Sequence, residues 1–133
     1  INKQQILFEI DYNPNKTKKF IEKFDKSTFG INYDTGNSAG MGFDSNEEFK
    51  LYGKYIKNIH IKDKLLNGET VRLGSGDADF YKIFKNIKKI RYKNLLILQT
   101  ARSKTNRHLN ELNMNYFFLN NILKELNYER IKR

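Results

Sequence analysis

Four short apolar runs, each too short to be a helix, are separated by stretches with helical periodicity. This alternation limits what the chain can fold into more than any other feature. Gln5-Ile6-Leu7-Phe8-Glu9-Ile10 is mostly apolar, is bounded by Asn13-Pro14, and reads as a buried strand. Gly30 to Asp34, Tyr55 to Ile61 and Asn94 to Gln99 read the same way. Between them, Lys16 to Asp25 places Phe20, Ile21 and Phe24 on one helical face, with Asn15 as its predicted cap. Asp44 or Ser45 caps a helix through Tyr52, with Glu47 and Glu48 in its first turn. Asp77 to Ile87 sets Phe80, Ile83, Phe84 and Ile87 on one face, and a longer helix runs from Leu109 to Leu126. A loop bearing glycines and charges spans Lys62 to Gly76.

The order βαβαβαβα implies an α/β fold with a parallel sheet and helices packed outside it. Strands apolar on both faces agree, because parallel strands are covered twice. Four βα units make half of an eight-stranded barrel or a small open sheet. Glu9, Asp34, His60 and Gln99 each fall at or near the C-terminal end of a different strand, the edge where a parallel barrel builds its active site. A doubly wound sheet calls for a glycine-rich phosphate loop after the first strand, and Asp11-Tyr12-Asn13-Pro14 is not one. The expected fold is therefore four βα units of a (β/α)8 TIM barrel, as one partial domain over residues 1–133.

Composition narrows the function classes. The chain has no cysteine, which excludes disulfides and thiolate metal sites and fits a cytoplasmic protein. No apolar run approaches the roughly 20 residues a membrane helix needs, and Ile1-Asn2-Lys3-Gln4 does not begin a signal peptide. Ile1 is not an initiator methionine and a strand follows at once, as in a fragment of something longer. The net charge of +10 invites a nucleic-acid reading. The charge is dispersed, however, with Lys16, Lys18, Lys19, Lys23, Lys85, Lys88 and Lys89 on predicted solvated helix faces, and no arginine-rich run is present.

Asn32-Tyr33-Asp34-Thr35-Gly36-Asn37 and Ile59-His60-Ile61-Lys62-Asp63 carry the chemistry. A carboxylate and an imidazole, each closing a buried strand, read as two ligands of one open metal site. Plainer readings stand beside these: Asp34 to Asn37 as a turn, Glu9 as a solvated strand end, and Lys62 with Asp63 as a mutual or solvated pair. The same holds for Gly74 and Gly76 as loop glycines, Arg107 and His108 as a solvated helix start, and Tyr116, Phe117 and Phe118 as helix packing surface.

Phe8-Glu9, Asp34-Thr35-Gly36-Asn37, His60-Ile61-Lys62-Asp63, Leu73-Gly74-Ser75-Gly76 and the Leu98-Gln99 strand end, in this order, resemble the C-terminal half of the sugar phosphate isomerase/epimerase family. These are the xylose-isomerase-like barrels, and the likeness runs from their fifth strand to their eighth helix. The resemblance implies a divalent cation (manganese, magnesium, cobalt or zinc) held by Glu, Asp, His and Glu. Glu9, Asp34 and His60 match the first three, and Gln99 stands in the fourth place. A Gln carbonyl can ligate a hard cation but brings no charge and cannot act as a base, which counts against two-base epimerisation. The implied reaction isomerises or epimerises a sugar or sugar phosphate through an enediolate stabilised by the cation. Glu9 is then base as well as ligand. Lys62 is expected on the other side of the strand from His60 if the strand continues, or turned into the mouth to neutralise substrate charge. Asn37 would bind a substrate hydroxyl. Gly74, Gly76 and Arg102 would bind a phosphate, with Arg72 nearby.

Competing readings are a polyol dehydratase or related lyase on the same scaffold, an endonuclease IV-like nuclease, and an inactive half barrel. The nuclease needs further metal ligands, and only Asp63 and Glu69 are present between Lys62 and Gly76, with no His. A half barrel exposes sheet edges, so the expected partners are the N-terminal half of the barrel or a second copy, besides the sugar.

Overall fold

The computed structural model describes residues 4–128. Residues 1–3, on which the expectation about the chain's start falls, and residues 129–133 lie outside the described residues. The strands β1 (Ile6–Phe8), β2 (Phe29–Asp34), β3 (Ile56–Ile61) and β6 (Leu96–Leu98) form one sheet in the order β1-β2-β3-β6. Every pairing in it is parallel. The helices α1 (Pro14–Ile21), α3 (Ser45–Tyr52), α4 (Phe80–Lys89) and α5 (His108–Glu125) follow the four strands in turn. This is the expected part of a TIM barrel.

The core lies between the sheet's outer face and these helices. Ile31, Ile59 and Ile61 from the strands meet Phe49, Phe84 and Ile87 from the helices, all buried. Successive strand residues point to opposite faces. Ile59 and Ile61 therefore enter this core, while Asn58 and His60 face the barrel interior. Phe8 packs among Phe20, Phe24 and Phe29 on the helix side, which leaves Glu9 for the interior.

Several boundaries differ from expectation for local reasons. Helix α1 is capped by Asn13, not Asn15: Pro14 fits the first helical position, and the Asn13 side chain accepts from the Lys16 N–H at 2.9 Å. Asp44 caps α3 through the N–H groups of Asn46 and Glu47. Helix α4 begins at Phe80, capped by Asp79, three residues later than expected. A short helix, α2 (Thr35–Gly40), follows β2 directly, and a small antiparallel pair, β4 (Asp63–Lys64) with β5 (Thr70–Val71), structures the loop after β3. Of the seven lysines assigned to solvated faces, six are exposed and Lys18 is half-buried. Helix α5 starts at the exposed His108, as expected. Its aromatic cluster is only partly packing surface: Phe118 meets Phe80, while Tyr116 and Phe117 are exposed. Among the described residues, no helix is long and apolar enough to cross a membrane.

Candidate metal centre

Glu9, Asp34 and His60 come together at the C-terminal ends of β1, β2 and β3. One carboxylate oxygen from each acid and one ring nitrogen of His60 lie within 4.8 Å of one another. The sheet register explains it, because Asp34 stands directly opposite His60 in the β2–β3 pairing and both side chains share the inner face. His60 Nδ1 is 3.4 Å from Glu9 Oε2 and 4.0 Å from Asp34 Oδ2.

Neighbouring amides hold these side chains in place. Asn37 Nδ2 donates to Glu9 Oε1 at 3.2 Å, and the Asn37 backbone N–H donates to Asp34 Oδ1 at 2.8 Å. Asn32 Nδ2 donates to Glu9 Oε2 at 2.6 Å and lies 3.1 Å from His60 Nδ1. Asn58 Nδ2 fixes that amide by donating to Asn32 Oδ1 at 2.8 Å. Partners of this kind orient ligands. Two hard carboxylate oxygens and an imidazole nitrogen converging from three strands suit a divalent cation such as manganese, magnesium, cobalt or zinc. The residues present therefore fit the group that the fold family implies.

Asn32 and Asn58 were not among the expected site residues. Their signal was the strand period: each lies two residues before a ligand, hence on the same face. The same rule selects between the two placements expected for Lys62, against the far side of the strand and for the inward one. Residues two apart share a face, so Lys62 follows His60 inward. Its ammonium lies 3.1 Å from Asp34 Oδ2 and 3.3 Å from Gln99 Oε1.

The glycine loop is not an open anion cradle. Asp63, fully buried, accepts the Gly74 and Gly76 N–H groups on Oδ2, each at 2.9 Å, and the Ala78 N–H on Oδ1 at 3.1 Å. Gly74 adopts a φ of +82°, and a side chain at Gly76 would collide with the Asp63 carboxylate. Nor do Lys62 and Asp63 pair with each other: one reaches Asp34, the other holds this loop. Arg102 is exposed and lines an open groove of about 670 Å³ with Arg72, Ser75, Ser103 and Lys104. Arg72 is clamped there by Glu111 at 2.6 and 2.8 Å.

A second carboxylate, missed by the sequence reading, sits behind the sheet. Glu48 is buried and accepts from Tyr33 Oη at 2.8 Å, from Tyr52 Oη at 2.6 Å and from Ser38 Oγ. Burial raises its carboxyl above the usual range and pushes both phenols up.

Solved structures with this fold are similar over 77–92% of the chain. A xylose isomerase domain protein from Planctomyces limnophilus superimposes with a TM-score of 0.76 at 24% identity, covering 92% of this chain and 48% of that one. A sugar phosphate isomerase/epimerase from Parabacteroides distasonis gives 0.64 at 20% identity, over 77% and 34%. A D-allulose 3-epimerase from Methylomonas sp. gives 0.65 at 15% identity, over 90% and 49%. The chain thus spans less than half the length of each of these proteins. No curated protein matches the sequence. The family profile of the xylose isomerase-like TIM barrels matches residues 5–118, and the chain belongs to that family.

Proposed function

We propose that this chain is the metal-bearing C-terminal half of a sugar isomerase-type enzyme. The convergence of Glu9, Asp34 and His60 within 4.8 Å at the sheet's C-terminal edge carries the reading. The implied divalent cation supplies Lewis-acid stabilisation of the negative charge that develops when a proton leaves carbon next to a carbonyl. Glu9, the most exposed of the three, takes and returns that proton. Asn37 and Asn32 hold the Glu9 carboxylate in line.

Gln99 favours one class of reaction. Inverting a carbon needs proton transfer on two faces, hence two groups able to exchange a proton, and Gln99 cannot be the second. A single carboxylate suffices to move a proton between adjacent carbons on one face, or to begin a dehydration. Aldose–ketose isomerisation is thus the first reading and polyol dehydration the second. The edge strands β1 and β6 leave Ile6, Leu96 and Ile97 exposed, which suits pairing with the remaining strands of a barrel, from the N-terminal half or a second copy. Cytoplasmic location is part of the same proposal.

The test is solvent deuterium uptake next to the carbonyl of a panel of aldoses and ketoses, with manganese, magnesium, cobalt or zinc added to the intact protein. Uptake that disappears in Asp34→Ala and His60→Ala is expected, and undiminished uptake in both variants would end the reading. For phosphate, Arg102→Ala is expected to weaken phosphorylated sugars selectively; an equal change for both kinds would remove Arg102 from that role.

A further inference from the structure

We infer that Gln99 is not the fourth metal donor of this site but the holder of Lys62, whose ammonium is a tethered cation beside a three-donor metal centre. The inference rests on the metal reading above and concerns which residues of this chain complete it.

The Lys62 placement is built in. The Thr35 hydroxyl donates to the Lys62 carbonyl at 2.6 Å and accepts the Lys62 N–H at 2.9 Å, so one side chain clips both backbone groups of that residue. At Gly36, a Cβ would lie 2.7 Å from Lys62 Cγ and 3.1 Å from its Cβ and carbonyl carbon, so only glycine lets the lysine stem lie across the start of α2. The stem therefore leads the ammonium inward, where the Lys62 side chain is 15% exposed and Asp34 only 1%. Gln99 then closes the arrangement, accepting from the ammonium at 3.3 Å. The neutral Gln99 carbonyl has little left to offer a second cation once the ammonium holds it, whereas the Asp34 carboxylate carries a full charge and can be shared between the ammonium and a metal.

The residue types agree. A carboxylate at position 99 would bind both Lys62 and a metal strongly, whereas a neutral amide holds the ammonium without adding charge. The Asp34-Thr35-Gly36-Asn37 stretch thereby divides its work: Asp34 and Asn37 serve the metal donors, Thr35 and Gly36 serve Lys62. Lys62 shares the Asp34 carboxylate with the site, so its charge opposes that of a bound cation.

Manganese affinity of the intact protein, measured by titration calorimetry without substrate, tests this. Lys62→Met keeps the stem and removes the charge; affinity is expected to rise about tenfold, since a unit charge within a few ångströms of the cation is lost. Lys62→Arg is expected to stay near the unsubstituted value. Gln99→Ala is expected to change affinity by less than about threefold, against a loss of about a hundredfold for His60→Ala as the donor control. A tenfold or larger loss in Gln99→Ala would make Gln99 a donor and overturn the inference. So would an unchanged or lower affinity in Lys62→Met. Failure of the unsubstituted protein to bind manganese would overturn it together with the metal reading, whereas loss in Gln99→Ala with binding intact otherwise would overturn this inference alone.

Discussion

The molecule holds its carboxylates in two different ways. Asp63 and Glu48 are sealed: Asp63 accepts three backbone N–H groups and Glu48 three hydroxyls. Glu9 and Asp34 face one another across the strand ends, each held by a few donors and each with an oxygen turned toward His60. A buried carboxylate whose oxygens meet only hydrogen-bond donors is part of the architecture. One that, like the buried Asp34, also brings an oxygen to a second carboxylate and an imidazole is available for chemistry. The loop glycines show how the two types are confused: Gly74 and Gly76 resemble a substrate cradle until the anion in that cradle proves to be Asp63.

The comparison can be broken by substitution. Asp63→Ala is expected to cost most, about 3–5 kcal/mol, because a fully buried side chain is lost and three loop N–H groups lose their acceptor at once; urea denaturation of the intact protein measures it. Glu48→Ala is expected to cost about 2–4 kcal/mol, by orphaning the hydroxyls of Tyr33, Tyr52 and Ser38. If either variant proves as stable as the parent, the sealed class has no meaning.

Glu48 also sharpens the comparison through pH. Burial raises its folded pKa above the ordinary 4.5, so the native state holds the proton more tightly than the unfolded chain does. The stability this contributes is complete below pH 4.5 and is lost as pH rises through the raised folded value. Glu48→Gln is expected to flatten the stability profile over that window, and a profile as steep as the parent's would assign the slope to another group. At the small end, Asp44→Ala removes an exposed helix cap and a surface ion pair with Lys82, and is expected to cost about 1 kcal/mol.

The fold was legible because its signals are periodic and cumulative. Short apolar runs set the four strands, and amphipathic faces such as Phe80, Ile83, Phe84 and Ile87 set the helices. What escaped lacks periodicity. Helix α2, Thr-Gly-Asn-Ser-Ala-Gly, has no apolar face and is held by the Asp34 cap and by contact with β3 and β4. The β4–β5 pair has two residues a side, below any pattern. The ligands were legible as strand-end polar residues. Asn32 and Asn58 lie one step back from the strand ends on the inner face, paired with each other across β2 and β3, and a neutral amide there carries no signature of its own. Glu48 looked like a first-turn acid serving the α3 dipole, and only tertiary packing of Tyr33 and Tyr52 over it shows its burial. The sealing of Asp63 depends on a loop 11 to 15 residues away in sequence, which no local pattern announces.

The most direct test of the account is a manganese titration of the intact protein beside its Asp34→Asn and Asp63→Asn variants, with folding of each checked by circular dichroism. The account predicts a bound ion in the parent, loss of binding in a folded Asp34→Asn, and retained binding in whatever fraction of Asp63→Asn folds. A folded Asp34→Asn that binds manganese as the parent does would contradict it.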